Sequence, residues 1–112
     1  MIRWSPARPL KTRCPHGRLR RLLDKALPAE LSVAASHLRP WASANFVGAR
    51  HHFTLQLQDK LDATALSAMA ARLQDQLAET EWPLFQHIVA DLCAQPAPDQ
   101  QGLLLEILTV ED

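Results

Sequence analysis

Glycine is scarce in this 112-residue chain, which has only three, and tyrosine is missing altogether. Backbone cradles for phosphate need glycines at fixed offsets, because N–H groups approach an anion closely only where no Cβ intervenes. Gly17, Gly48 and Gly102 fit neither a P-loop nor a dinucleotide turn, and no Gly-x-Ser-x-Gly elbow or EF-hand loop occurs. Two cysteines, Cys14 and Cys93, are too few for a disulfide framework, and both read as free thiols. No apolar run approaches the roughly 20 residues of a membrane span, and the N-terminus lacks the apolar core of a secretory signal. These absences disfavour an enzyme with a small-molecule pocket. They lead to the expectation of a soluble, cytoplasmic protein with no membrane partner, no cofactor and no resident metal.

Acidic residues are missing from the first 23 positions, and that gap exposes a charge split hidden by a net charge of zero. Residues 1–50 hold ten Lys and Arg against Asp24 and Glu30, a balance of +8. Residues 51–112 hold Lys60 and Arg72 against ten acids, a balance of −8. Such a split implies either a basic surface for an anionic partner or two halves that attract each other, within one molecule or between two.

What is present reads as one domain. The chain is 47% hydrophobic and 21% charged, an ordinary globular balance for a length that supports a single core. Residues 1–16 carry three prolines and no apolar period, which predicts a basic extended arm before a single α+β domain over 17–112. Leu19, Leu22, Leu23 and Leu27 recur at helical spacing, so a helix is expected over 17–27, stopped by Pro28. Leu31, Val33 and Ala35 alternate with Ser32, Ala34 and Ser36. A short helix also suits residues 29–38, but a strand is preferred because a turn over 39–43 then makes a hairpin with the next segment.

That next segment, Asn45 to Gln58, alternates cleanly: Phe53, Leu55 and Leu57 on one side, His52, Thr54 and Gln56 on the other. Gly48 marks a bulge or a close backbone approach. Asp62 is placed to cap a second helix with the stripe Leu66, Met69, Ala70, Leu73 and Leu77, ending before Pro83. Strands over 84–94 and 103–110, joined by a Pro- and Gly-containing loop, complete the order helix-strand-strand-helix-strand-strand. The expectation is an antiparallel sheet of about four strands with two helices on one face, an αββ unit used twice.

Three segments carry a resemblance: Trp41-Ala42-Ser43-Ala44-Asn45-Phe46-Val47-Gly48-Ala49-Arg50-His51, His87 to Leu92, and Leu105 to Asp112. Together they resemble a group of small uncharacterised proteobacterial proteins sharing a Trp-Ala-Ser-x-x-Phe-x-Gly-Ala-Arg-His segment. The resemblance implies a bacterial, soluble and compact protein, and no activity.

Four constellations bear on chemistry. Arg3, Arg8, Lys11, Arg13, Arg18, Arg20, Arg21 and Lys25 are candidate anion-binding residues, with Trp4 and His16 among them for stacking. His87, Asp91 and Cys93 share a strand face by period-two counting. With Glu106 on the neighbouring strand and His52 if the register allows, they form a candidate polar site for a metal or an acid–base pair. Cys14-Pro15-His16 offers two metal-ligand types and no more. In Arg50-His51-His52, alternation sends His51 to the apolar face as a hydrogen-bonded histidine at the core's margin. Arg50 is then left to pair with an acid such as Asp91 or Glu106.

The function expected from these residues is a non-enzymatic binding or interaction module, with a protein partner or a homodimer in view. A nucleic-acid-associated protein using the basic N-terminal region comes second, and a small metal-dependent or acid–base enzyme using the polar sheet face third.

Overall fold

A computed structural model describes residues 14–112. Its elements run α1 (His16–Ala26), β1 (Leu31–Ala42), β2 (Val47–Leu57), α2 (Ala63–Ala78), β3 (His87–Pro96) and β4 (Gly102–Glu111). All neighbouring strands are antiparallel, in the order β1-β2-β4-β3. The α+β class and the element order are as the sequence predicts. Of the expected arm over 1–16, residues 1–13 lie outside the described residues, whereas Pro15 is buried and His16 already belongs to α1.

Each helix is fixed by its apolar stripe. Leu19 and Leu23 of α1, and Leu66, Ala70, Leu73 and Leu77 of α2, are buried against the sheet. Burying a leucine side chain contributes about 1.5–3 kcal/mol, which outweighs the weak propensity of so short a helix as α1. Asp62 Oδ1 accepts from the Ala65 N–H at 2.7 Å and starts α2, as its position predicts. At the other end the Trp82 indole N–H donates to the Leu77 carbonyl at 3.3 Å, folding the chain back over the last turn. The Gln76 side-chain amide donates to the Ala26 carbonyl at 3.1 Å and ties the two helices together.

The sheet's inner face supplies the rest of the core: Leu31, Phe53, Leu55, Ala94, Leu103, Leu105 and Ile107. β1 is longer than expected, because the turn falls at Ser43–Phe46 rather than at 39–43. The Ser43 N–H donates to the Phe46 carbonyl at 2.8 Å, and the Phe46 N–H donates to Ser43 Oγ at 3.2 Å. Pro40 misleads here: an edge strand accepts a proline that a central strand would reject. β3 starts later than expected, because Gln86 takes a left-handed φ of 57° and redirects the chain into His87.

The two αββ halves match in detail. Both edge strands carry a register shift, at Val33/Ala35 in β1 and at Val89/Asp91 in β3. The shifts lie opposite Thr54/Leu55 and Leu108/Thr109, and each residue of the second pair is 54 positions after its counterpart in the first. Gly48 and Gly102 are also 54 positions apart. A Cβ on Gly48 would collide with the Thr109 carbonyl oxygen, and one on Gly102 with the Leu55 carbonyl oxygen. The close approach expected at Gly48 is therefore present, and Gly102 repeats it across a pseudo-two-fold axis between β2 and β4.

Candidate functional site: two polar networks on opposite sheet faces

Pairing register assigns every strand residue to a face. The outer face, which neither helix covers, has successive cross-strand rows. One runs His37, His52, Glu106, Cys93 from β1 to β3, and the next runs Arg39, Arg50, Leu108, Asp91. Arg50 donates to Glu106 Oε2 at 2.7 Å, as alternation predicts. The His37 and His52 rings stack with centroids 4.6 Å apart. His52 Nδ1 stands 3.9 Å from Glu106 Oε1, beyond hydrogen-bond range. His52 Nε2 is shielded from solvent and has no hydrogen-bond partner among the described residues. A depression of about 190 Å³ lies over this row, lined by His37, His52, Cys93 and Glu106 among others.

The predicted polar site is thus only partly assembled. His52, Glu106, Cys93 and Asp91 share the outer face, but His87 does not. The register shift between Val89 and Asp91 adds one residue to β3, and period-two counting fails across it. His87 falls on the inner side beside Val89. It is buried there, with Nδ1 2.8 Å from the Phe85 carbonyl. Period-two counting also sends Ile88 and Leu92 to the same, inner face, but Ile88 is half exposed, while His87 and Val89 face inward. Among the described residues no group of three or more His, Cys, Asp or Glu side chains is placed to hold a metal. Cys14 and Cys93 are exposed, unbridged thiols.

Of the candidate anion-binding residues, Arg3, Arg8, Lys11 and Arg13 lie outside the described residues. Arg18, Arg20, Arg21 and Lys25 are exposed on α1. Arg18 Nε donates to the Pro83 carbonyl at 2.8 Å, whereas Arg20, Arg21 and Lys25 make no side-chain hydrogen bond or ion pair among the described residues.

The inner face holds a second network. His16, at the start of α1, places Nδ1 2.9 Å from His51 Nδ1 on β2 and Nε2 3.1 Å from Ser36 Oγ on β1. His51 Nε2 lies 2.8 Å from Thr109 Oγ1 on β4, and the Thr109 hydroxyl donates to the Ala49 carbonyl at 3.5 Å. Each neutral imidazole donates through one nitrogen and accepts through the other, so the chain can run in either of two directions. With the Thr109 hydrogen on Ala49, Thr109 Oγ1 accepts from His51 Nε2–H, leaving His51 Nδ1 to accept. His16 then donates through Nδ1–H, and its Nε2 accepts from the Ser36 hydroxyl. Every member is satisfied with both rings neutral.

The His16 ring is nearly coplanar with that of His51, as an in-plane hydrogen bond requires, and lies parallel to Phe53 at a centroid distance of 5.4 Å. Burial and the neighbouring His16, His87 and His52 depress the His51 pKa from 6.5 to about 4. Burial, then Arg20 and His37, lower that of His16. Alternation placed His51 on this face, and it is fully buried. The roles of His16, Ser36 and Thr109 have no local sequence signal, since they come from three elements more than 15 residues apart. Comparisons with protein-family models, with curated proteins and with solved structures returned no match to this chain.

Proposed function

We propose that the chain is an interaction module acting as a homodimer through the open face of its sheet. The observation that carries this reading is the polarity of that face. Its β1 and β2 half presents Arg39, Arg50, His37 and His52, and its β4 and β3 half presents Glu106 and Asp91. Leu104 and Leu108 of β4 supply an incompletely covered apolar centre. A second copy laid face to face, with the two-fold axis parallel to the strands, sets the basic half over the partner's acidic half. Arg39 and Asp91 end the same cross-strand row, so that axis brings Arg39 towards the partner's Asp91, twice per dimer.

Four strands about 4.8 Å apart and about 30 Å long offer a footprint of roughly 600 Å², at the lower end of a standard interface half. The sheet's edges are poorer candidates, because both carry a register shift and β1 carries Pro40, devices that discourage strand addition.

Sedimentation velocity over a concentration series tests the reading. A dimer that weakens with salt and is abolished by Leu108→Arg supports it. A monomer at every concentration and salt level refutes it.

A nucleic-acid role is the second reading, favoured by the exposed Arg20, Arg21 and Lys25 on α1. It requires binding to short DNA or RNA that falls steeply with salt and is lost when these residues become alanine.

A further inference from the structure

The geometry points to a chemical role for the inner network: Ser36, His16 and His51 form a serine–histidine–histidine triad for attack on carboxylic esters. The three roles belong to the direction in which the Thr109 hydroxyl donates to Ala49. His16 Nε2 then accepts, 3.1 Å from Ser36 Oγ and in reach of its hydroxyl proton. His16 Nδ1–H is held at 2.9 Å by His51 Nδ1, so the base is locked in the tautomer that catalysis needs. His51 is in turn oriented by Thr109 at 2.8 Å. Burial is graded in the same order. Ser36 and His16 are half-buried and reachable, whereas the positioning residues His51 and Thr109 are wholly enclosed.

One cationic group is nearby: Arg20 of α1 lies near enough to His16 to lower its pKa, second to burial. In the reaction Ser36 Oγ attacks the acyl carbon while its proton passes to His16 Nε2. The bond to the leaving alcohol then breaks, and the alkoxide takes that proton. Water, deprotonated by the same nitrogen, cleaves the acyl–serine ester, restoring the Ser36 hydroxyl and releasing the carboxylic acid. A neutral His51 stabilises the imidazolium through its dipole alone, so turnover is slower than with a carboxylate in that place, and a trapped adduct is the better readout.

The test is labelling of the intact chain with a fluorophosphonate near neutral pH, followed by peptide mass mapping. The expected result is phosphonylation at Ser36, absent after denaturation and reduced on the order of 10²-fold in His16→Gln, whose amide can still donate to His51. Labelling spread over Ser32, Ser43 and Ser67, or unchanged by His16→Gln, overturns the proposal.

The pH profile gives a second readout that needs no triad variant. The titratable and charged groups that act electrostatically on His16 and His51 are Arg20 from α1, His37 and His52 on the opposite face of β1 and β2, and His87 from β3. Labelling should fall as His16 is protonated at acid pH. Arg20→Gln, which removes one cause of the lowered His16 pKa, should move that acid limb to higher pH. An unmoved limb means that His16 is not the base. Because the triad lies on the helix-covered face, labelling proceeds whether or not the opposite face dimerises.

Discussion

Mildly acid pH should destabilise this protein through one histidine. His51 is fully buried, hydrogen-bonded on both ring nitrogens, and holds a pKa of about 4 in the folded state against 6.5 in the open chain. The unfolded state therefore binds more protons throughout the interval between those values. Stability is complete above about pH 6.5, declines as pH falls, and levels off for this group below about pH 4. A shift of that size corresponds to roughly 3 kcal/mol, a large share of the 5–15 kcal/mol that holds a typical domain together.

Urea unfolding measured at intervals from about pH 7.5 to pH 4.5, for the native chain and for His51→Gln, isolates the effect from carboxylate titration. Glutamine can accept from His16 and donate to Thr109 but does not titrate. The native chain should lose about 2–3 kcal/mol more than the variant across that range. Parallel pH profiles for the two proteins would refute the argument, and would mean that His51 is protonated or open to water in the folded state.

Other perturbations test the frame around this network. Gly48→Ala and Gly102→Ala each drive a Cβ into a carbonyl oxygen of the neighbouring strand, at Thr109 and Leu55 respectively. Each should cost on the order of 1–3 kcal/mol in chemical denaturation. Leu73→Ala opens a cavity beneath α2 and should cost about 2–5 kcal/mol. Asp62→Ala removes the cap on Ala65 and should cost about 1 kcal/mol, read as a lower Tm.

The sequence carries its fold through period and punctuation. The Leu66–Leu77 stripe with Asp62 before it, and the Phe53–Leu55–Leu57 alternation, are local signals that tertiary structure had no reason to override. Alternation also carried His51 to the inner face and Arg50 to Glu106, because β2 is unbroken by any bulge. The same counting failed in β3. An extra residue between Val89 and Asp91 changes parity without any glycine or proline to announce it, so period-two counting groups His87 with Asp91 although the two lie on opposite faces. The inner network was illegible for a different reason. Ser36, His16, His51 and Thr109 meet only once α1 is docked and β2 and β4 are paired, and a lone serine or threonine in a strand carries no pattern of its own.

The open sheet face as a two-fold docking surface is tested most directly by a charge-exchange experiment. Arg39→Glu and Asp91→Arg each place like charges opposite one another in the proposed dimer, and each variant alone should sediment as a monomer. Mixing the two restores opposite charges at both contacts of a heterodimer, so the mixture should sediment as a dimer at concentrations where neither component does. A mixture that stays monomeric, or single variants that dimerise as well as the native chain, would contradict the proposed interface.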